Sequence, residues 1–449
     1  MIIERERIQK FNNHHLQKGD YVLYWMQQSQ RVIDNHSLVY ATHKANTLKQ
    51  PLIVFFGLTD TYPEANERHY MFMLEGLKEV QGTLQKQGIK MVLQNISPDQ
   101  GVLRLAEDAS LLVVDCGYLR LQRQWRQTVA TRCSCPMIQV ESDVIVPVHL
   151  ASSKEEYSAA TFRPKIQKHL STFLKQPSEI KPLLDSLEID VPTMDLGDIS
   201  AIVKNLKIDH SVSPSTRFHG GTTEALRHLS SFINGTLDEF SLKRNDPSNN
   251  YLSHMSPYLH FGHISPVTIA LSVIQTGGPG VDTYLEELLV RRELSMNYVF
   301  YNSNYDTYKG LPEWAQQTLH EHREDKRVYI YSIKELEQGQ THDLYWNAAQ
   351  HEMVKTGKMH GYMRMYWGKK ILEWTATPEQ ALEYALYLNN KYELDGRDAN
   401  AFTGIAWCFG KHDRPWAERA IFGKIRYMNA KGLERKFPMK RYVERIHQL

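Results

Sequence analysis

The sequence has few cysteines and no long apolar run, and each absence excludes a class of protein. Its 449 residues include four cysteines, too few for a disulfide framework, and Cys133 and Cys135 lack the second pair of ligands that a zinc site needs. No run of about 18 apolar residues is present, which excludes a transmembrane helix. The N-terminal segment, MIIERERIQKF, is charged and therefore does not resemble a secretory signal. We expect an intracellular protein with no membrane or metal partner.

Total charge gives little information, but its distribution is uneven. The 53 Lys and Arg residues against 51 Asp and Glu leave a net charge of +2. Between Arg419 and Arg445 there are nine basic residues and two Glu. Such a segment is either a solvated surface or an edge that faces phosphate groups.

The first third of the chain alternates between short apolar runs and amphipathic segments. Residues 64–87 have helical periodicity, and apolar runs typical of strands occupy residues 21–26, 52–58, 90–94, 111–115 and 137–140. This alternation predicts an α/β domain of the Rossmann type over residues 20–146, with a parallel sheet. No GxGxxG motif follows the first strand, so the usual dinucleotide fingerprint is missing.

The rest of the chain changes character twice. Residues 147–219 contain several prolines and weak periodicity, which predicts a long connector with short helices. Residues 220–449 contain one helical pattern after another, including residues 281–301, 344–355 and 358–374, and predict an all-α domain. The expected fold class is therefore α/β plus all-α.

The most distinctive stretch runs from His342 to Trp374. Five of the eight tryptophans lie between Trp346 and Trp416. Trp367 and Trp374 are seven residues apart, or two helical turns, so they share one helix face. Either a dense core or an aromatic cofactor site would explain this concentration of indole rings.

Several polar residues are also candidates. Ser253 and Ser256 lie at the start of a helix and could contact a phosphate, although a helix cap without a ligand is the favoured explanation from the residues alone. Arg364 and Asp395 could form an ion pair, and Glu287 and Arg291 have the i, i+4 spacing of a surface salt bridge. None of these patterns alone defines an activity.

Together, the motifs resemble the class II cyclobutane-pyrimidine-dimer DNA photolyases of the photolyase/cryptochrome family. The resemblance covers nearly the whole chain. It depends on the strings RNDPSNNYLSHMSPYLHFGHIS (residues 244–265), EELLVRRELSMNYVFYN (286–302), THDLYWNAAQHEMVKTGKMHGYMRMYWGKKILEW (341–374), YLNNKYELDGRDANAFTGIAWCFGKHDRPWAER (387–419) and FGKIRYM (422–428).

The resemblance implies a bound FAD that is active as FADH⁻. It implies that the pyrophosphate is held by Leu252, Ser253, His254, Met255 and Ser256. It places Arg364 and Asp395 beside the isoalloxazine ring, Asn389 opposite flavin N5, and Gly396 and Arg397 in the loop under the flavin. Phe240 departs from the tyrosine that is frequent in the family, so a hydroxyl contact is lost there.

The resemblance also implies contacts with damaged DNA and a path for electrons. Glu287 would bind the polar edge of the dimer, and the other implied DNA and lesion contacts are Arg244, Arg291, Met365, Trp407, Arg414 and Trp416. Arg291 stands where some relatives have Trp. Electrons would pass along Trp374, Trp346 and Trp367, with Trp367 nearest the flavin and Trp374 toward solvent.

The implied function is light-driven repair of cyclobutane pyrimidine dimers by a monomeric enzyme, a deoxyribodipyrimidine photo-lyase, that binds UV-damaged DNA in the cytoplasm or nucleoid. The N-terminal domain would hold an antenna chromophore, a deazaflavin or a folate, or none. Two alternatives stay open: a cryptochrome-like photoreceptor without repair activity, and a helical nucleic-acid-binding protein without flavin.

Overall fold

A computed structural model describes residues 2–449 and contains one six-stranded sheet. The strands are β1 (Ile8–Lys10), β2 (Tyr21–Trp25), β3 (Leu52–Leu58), β4 (Lys90–Asn95), β5 (Ala109–Asp115) and β6 (Met137–Val140). Their order is β1-β6-β5-β2-β3-β4, and all neighbours are parallel except β1, which runs antiparallel to β6. The predicted α/β layer is confirmed, with an antiparallel edge strand that the sequence did not reveal.

Helices cover both faces of the sheet. They are α1 (His36–Leu48), α2 (Glu67–Lys86), α3 (Pro98–Ala106) and α4 (Arg120–Arg132). Successive strand residues point to opposite faces: Val22 and Tyr24 join the core under α1 and α2, whereas Leu23 and Trp25 join the core under α3 and α4. Both faces of each central strand are therefore buried, as expected for a doubly wound parallel sheet.

The connector is mostly irregular. Its helices are short, namely α5 (Val148–Ala151), α6 (Ala159–Gln167), α7 (Leu170–Phe173) and α8 (Ile199–Asn205). Residues 174–198 contain neither helix nor strand, and α8 packs against α2. The boundaries at residues 146/147 and 219/220 stay predictions.

Residues 220–449 form no strand of the sheet and are built from helices. These are α9 (Thr222–Gly235), α10 (Leu237–Lys243), α11 (Ser256–His260), α12 (Pro266–Thr276), α13 (Val281–Leu285), α14 (Arg292–Tyr301), α15 (Glu313–Glu321), α16 (Ile333–Glu337), α17 (Leu344–Thr356), α18 (Gly361–Trp374), α19 (Pro378–Tyr392), α20 (Ala399–Cys408), α21 (Ala430–Glu434) and α22 (Met439–His447). The predicted all-α second half is confirmed.

Two predicted helices differ locally from the structure. The helix expected over residues 281–301 is interrupted by a π-helical turn, Glu286–Arg291, between α13 and α14. The helix expected over residues 358–374 begins at Gly361, because the amides of Met359 and His360 donate to the side chains of Glu393 and Glu352. The carboxylates of Glu393 and Glu352 therefore hold these two amides outside the helix that the sequence pattern predicted.

Backbone and side-chain contacts join the two halves tightly. Arg68 of α2 donates to the carbonyl oxygens of Met353 and Val354 on α17 and of Tyr392 on α19. Glu293 of α14 accepts hydrogen bonds from the amides of Ile145 and Val146, which lie at the end of the α/β half. No helix within residues 2–449 has the length and apolar character needed to cross a membrane.

Candidate functional site

Four charged side chains meet where α18 faces the loop after α19. Arg364 lies 3.0 Å from an oxygen of Asp395 and 2.9 Å from an oxygen of Glu393, and Lys358 lies 3.4 Å from Asp395. All four are largely buried. The ion pair expected between Arg364 and Asp395 is present, and it belongs to a larger network that includes Lys358 and Glu393.

Burial affects the two carboxyl groups differently. Burial opposes ionisation of Asp395, but the charges of Arg364 and Lys358 outweigh it and hold the pKa of Asp395 well below its usual value. Burial dominates at Glu393 and raises its pKa to about 7, although Arg364 opposes the shift. Near neutral pH the network therefore contains two cations, one firm carboxylate and one carboxyl group that titrates.

Asn389 lies beside this network on α19. It is 1% exposed, and its Oδ1 atom has no hydrogen-bond partner in the protein. The Nε atom of Arg364 is also buried without a partner. Both atoms are therefore free to bind a polar group other than those of the protein.

Gly396 and Arg397 form a tight turn behind Asn389. A Cβ atom on Gly396 would lie 2.8 Å from the carbonyl oxygen of Asn389, so a larger residue does not fit. Arg397 has φ +60°, and its guanidinium group contacts His69 and the Asn390 carbonyl oxygen. The Arg397 side chain therefore points away from the Arg364 network.

The segment before α11 brings hydroxyl groups and a cation together. Lys358 donates to the Ser256 hydroxyl, and the Tyr284 hydroxyl lies 3.1 Å from the Ser253 hydroxyl. Phe240 packs edge-on against the Tyr284 ring at 5.4 Å. Tyr284 thus supplies a hydroxyl group close to where Phe240 lacks one.

Leu252, His254 and Met255 complete this segment. Leu252 and His254 line a cavity of about 280 Å³ together with Lys358, whereas Met255 is buried in the core. His254 has φ +57°, a strained conformation for a residue other than glycine. The Leu252–Ser256 segment therefore turns sharply beside Lys358 and carries the hydroxyl groups of Ser253 and Ser256.

Glu287 lies in the π-helical turn and pairs with Arg244. The distance between Arg244 Nη1 and Glu287 Oε1 is 2.7 Å, and both side chains are partly exposed. Arg291 instead lies 3.5 Å from Glu286. The i, i+4 pair between Glu287 and Arg291 was a wrong expectation, because the π-helical turn changes the spacing of side chains along the helix.

Met365 and Trp407 lie on α18 and α20, two helices that pack closely against each other. A Cβ atom on Gly368 would lie 2.6 Å from Cys408 Sγ, so only glycine permits this approach. The Cys408 thiol in turn lies 3.8 Å from the Met365 carbonyl oxygen. Both Met365 and Trp407 are only partly buried, so they can contribute to an open surface.

Arg414 and Trp416 lie in the loop that follows α20. Trp416 is 39% exposed, and the guanidinium groups of Arg414 and Arg426 lie 5.2 and 4.9 Å from its ring centroid. Arg426 also lies 5.6 Å from the Trp407 ring. The loop therefore presents an exposed indole ring and positive charge beside Trp407.

Trp367, Trp346 and Trp374 form a continuous row of rings, called the tryptophan stack below, in which Trp346 is parallel to Trp367 and meets Trp374 edge to face. The Trp346 centroid lies 6.2 Å from that of Trp367, with nearly parallel planes, and 5.7 Å from that of Trp374. The indole N–H of Trp346 donates to the Trp367 carbonyl oxygen. Trp374 is 2% exposed and is covered by Tyr331 and His342, so its ring does not itself reach solvent.

A large cavity lies outside this site, at the carboxyl ends of β2 and β3. Its empty space of about 720 Å³ includes a part that is open to solvent, and residues of α2, α4 and the helical half border it. Arg397 lines one side, and six aromatic residues contribute to the remaining wall: Trp25, Phe56, Tyr62, Tyr70, Trp125 and Phe261. This is the edge of an open parallel sheet at which ligands usually bind.

Sequence reasoning overlooked Glu393, Lys358 and Lys369. Glu393 and Lys358 lie within the quoted strings, but nothing in their spacing indicates that they face Arg364. Lys369 lies on α18 among apolar residues and is fully buried. A lysine on the apolar face of a helix was the available signal for that residue.

An α/β layer joined to a helical half with a buried polar network defines the photolyase/cryptochrome class of folds. A class III photolyase from Agrobacterium tumefaciens superimposes with a TM-score of 0.73 at 16% identity, covering 96% of this chain and 87% of that one. A photolyase from Sulfolobus tokodaii, crystallised with two FAD molecules, gives 0.73 at 17% identity over 94% and 89% of the chains. Both likenesses show the fold.

Sequence comparisons identify the family. The DNA photolyase family model matches residues 22–183. A deoxyribodipyrimidine photo-lyase from Methanothermobacter thermautotrophicus is 53% identical, covering 100% of this chain and 99% of the relative. Another from Potorous tridactylus is 42% identical, covering 96% and 82%. The chain belongs to the DNA photolyase family.

Proposed function

We propose that this protein is a deoxyribodipyrimidine photo-lyase of class II, which uses light and FAD to split cyclobutane pyrimidine dimers in DNA. Relatives that carry this name match nearly the whole chain at 39–53% identity. The observation that carries the proposal is the buried Arg364–Asp395 pair beside the unsatisfied Asn389 amide. Such a site suits a polar ring that changes its charge.

The residues present fit FAD. The unsatisfied Oδ1 of Asn389 and Nε of Arg364 match the polar edge of a flavin ring, which has both donors and acceptors. The hydroxyls of Ser253 and Ser256, with the Lys358 ammonium, suit phosphate oxygens. When bound and excited by light, reduced FAD supplies one electron to the dimer and recovers it after the ring opens.

Arg364 holds positive charge next to the ring position. Asp395 orients the Arg364 guanidinium, and the raised pKa of Glu393 limits the negative charge that would otherwise cancel it. The site therefore favours an anionic ring over a neutral one. This agrees with the reduced, anionic form, FADH⁻, as the active state.

Glu287, Met365 and Trp407 would receive the dimer. A dimer stacks poorly in the duplex and is therefore easier to flip out than an intact pair of bases; photolyases are among the examples for which base flipping is described. The Glu287 carboxylate can accept hydrogen bonds from the dimer's polar edge, and Met365 and Trp407 offer apolar, polarizable contacts. Arg244, paired with Glu287 at 2.7 Å, keeps that carboxylate oriented.

The exposed basic residues would bind the DNA backbone. Arg291 is half exposed, Arg414 and Trp416 lie in the exposed loop, and α21 and α22 carry further Lys and Arg. Phosphate contacts of this kind make affinity dependent on salt. We propose UV-damaged DNA as the partner and a monomer in the cytoplasm or nucleoid as the working form.

The tryptophan stack would conduct electrons toward the flavin ring. Indole is among the more easily oxidised side chains, and transfer between rings is fast only at short separation. The ring-centroid separations of 6.2 and 5.7 Å along Trp367, Trp346 and Trp374 meet that condition. Tight packing alone also explains the burial of these rings, so electron conduction has to be tested by photoreduction of the flavin.

We also propose that the cavity at the carboxyl ends of β2 and β3 binds an antenna chromophore, a deazaflavin or a folate. The cavity lies at the carboxyl ends of parallel strands, and its six aromatic side chains can pack against a planar aromatic ring. Arg397 is 4% exposed, and its guanidinium contacts a histidine and a backbone carbonyl, so it can hold an electronegative edge of the chromophore.

The decisive experiment follows thymine dimers in an oligonucleotide. We expect the purified, flavin-loaded protein to remove dimers under blue light and to leave them intact in the dark. The same oligonucleotide with a dimer photoproduct of another type is the matched control. A yellow protein that absorbs blue light but never removes dimers would instead be a photoreceptor, and a colourless protein that binds DNA would be neither.

A further inference from the structure

Lys369 is a buried cation without an anionic partner. It lies on α18, is 0% exposed, and its Nζ atom donates to the Cys408 carbonyl oxygen at 2.6 Å. Within residues 2–449, no carboxylate lies within ion-pair distance of it, whereas the adjacent Lys370 pairs with Glu373 at 2.6 Å. Burial of an unpaired ammonium group is costly. Its position therefore requires compensation from other groups.

That compensation comes from the end of α20. The Lys369 Nζ atom lies 5.0 Å from the centroid of the Trp407 ring, within the range of a cation–π interaction. Cys408 is the last residue of α20, and the carbonyl groups at a helix C-terminus attract positive charge. One ammonium group thus contacts both the Trp407 ring and the backbone carbonyl of the next residue.

The neighbouring packing leaves this arrangement little freedom. Gly368 permits α18 to approach Cys408 closely, as described above. Arg426 approaches the Trp407 ring as well, at 5.6 Å, but it comes from a loop and is only partly buried. Lys369 and Arg426 both approach the Trp407 ring, but only Lys369 is fixed on a helix, α18.

We propose that Lys369 is a positioning residue for dimer binding, which fixes the Trp407 ring in the orientation that receives the dimer. The inference rests on the proposed function, because Trp407 takes its role from the proposed lesion pocket. Lys369 does not touch the dimer. It acts through Trp407, so its removal reduces the preference for damaged over undamaged DNA more than it reduces binding to DNA in general.

The charge of Lys369 depends on pH in an accessible range. Burial lowers the pKa of Lys369 to about 8, and the other groups that face it are Cys408, Asp413 and Arg426. The ammonium is therefore charged below about pH 8 and neutral above it. A neutral amine can still donate to the Cys408 carbonyl oxygen, but it is no longer attracted to the Trp407 ring.

The test compares Lys369→Met with Lys370→Met. The quantity measured is the ratio of the affinities for a thymine-dimer oligonucleotide and for the same undamaged sequence. We expect Lys369→Met to reduce this ratio about tenfold, the scale of a desolvated cation–π contact. Lys370→Met removes an adjacent buried lysine that contacts other aromatic rings, and the ratio should keep its parental value.

A pH series separates positioning from general stability. Between pH 7 and 9 the ratio should fall in the parent protein and stay flat in Lys369→Met, and Trp407→Phe should also reduce the dependence on pH. A folded Lys369→Met protein with the parental ratio overturns the inference. If that variant fails to fold, a ratio in the parent that does not change with pH overturns it. A parent protein without any preference for the dimer overturns the proposed function itself.

Discussion

At the scale of single residues, Glu287 is held before any DNA arrives. Its carboxylate already pairs with Arg244, so a dimer meets an oriented acceptor instead of a freely rotating side chain. Because the Glu287 side chain is already ordered, less conformational entropy is lost when a ligand binds to it. In the role proposed for it, Glu287 would therefore act on the dimer through hydrogen bonds and not through its charge alone.

We expect Glu287→Ala to keep FAD and DNA binding but to lower the repair yield per absorbed photon by roughly tenfold, because a hydrogen bond to a charged group is lost. The yield is measured as dimers removed per photon absorbed under steady light. Glu286→Ala is the matched control, since the Glu286 carboxylate lies near Arg163 and Arg291 and does not pair with Arg244. Equal yields for the parent and Glu287→Ala would rule out this role.

Individual residues also mark the limit of sequence reasoning. The ion pair between Arg364 and Asp395 could be predicted from the sequence, because the family resemblance places both residues beside the same ring. Lys358 and Glu393 could not, because their contacts depend on how the segment before α18 meets the end of α19, and no local periodicity encodes that approach. The raised pKa of Glu393 likewise arises from burial in the folded protein.

At the scale of elements, α17 and α18 build one aromatic stack from two segments. The shared face of Trp367 and Trp374 follows from helical periodicity. The insertion of Trp346 between them depends on how α17 packs against α18, which the sequence only suggested. The break at Gly357, with φ +82°, lets α17 turn back toward α18.

We expect Trp346→Phe to stop photoreduction of oxidised FAD almost completely, because it removes the middle ring of the stack. Repair that starts from chemically reduced enzyme should persist. The variant should lose about 1–3 kcal/mol of stability, since Phe nearly fills the indole site. Photoreduction is followed by flavin absorption under blue light with an added reductant. Trp314→Phe, outside the stack, is the control, and parental photoreduction in folded Trp346→Phe would contradict the path.

The C-terminal helices form the second testable element. Lys431, Arg435 and Lys436 are exposed around α21, whereas Arg445 is engaged with Glu352 at 2.8 Å. We expect substitution of the three exposed residues by Gln to weaken binding to damaged and undamaged DNA alike. The slope of log affinity against log salt should flatten by about 2 to 3, or one for each lost phosphate contact. Unchanged affinity at both low and high salt would mean that this surface does not bind DNA. Arg445 is left out of the set, because Arg445→Gln would break its ion pair with Glu352.

At the scale of the whole molecule, α14 joins the helical half to the end of the α/β half. The two carboxyl oxygens of Glu293 accept hydrogen bonds from the amides of Ile145 and Val146. Burial raises the pKa of Glu293 to about 7, although these hydrogen bonds oppose the shift. Between the unfolded value near 4.5 and this raised value, the folded protein binds more protons than the unfolded chain.

Stability should therefore decline as pH rises through 7, and Glu293→Gln should remove that part of the decline. Between pH 5 and 8 we expect the free energy of unfolding of the parent to fall by roughly 2–3 kcal/mol relative to that of the Gln variant. Denaturant unfolding of both proteins across this range measures the difference. Parallel curves for the two proteins would mean that Glu293 does not titrate there.

Sequence patterns defined the two halves of the molecule but not their junction. Alternating apolar runs predicted the parallel sheet, and the helical patterns predicted the second half. The edge strand β1 has three residues and no apolar alternation, so only its pairing with β6 identifies it. The cavity beside Arg397 combines residues from both halves, and no contiguous motif describes it.

The irregular stretch between α7 and α8 has a consequence for how the chain could be divided. Residues 174–198 link the halves in sequence, but Arg68 and Glu293 link them in space, through buried hydrogen bonds that do not depend on this stretch. Cutting the chain within this stretch would therefore leave the contacts between the two pieces in place. If the gene were divided at a codon between residues 176 and 184, it would encode two polypeptides. Their reassembly into one light-responsive unit would rely only on the non-covalent contacts between the halves.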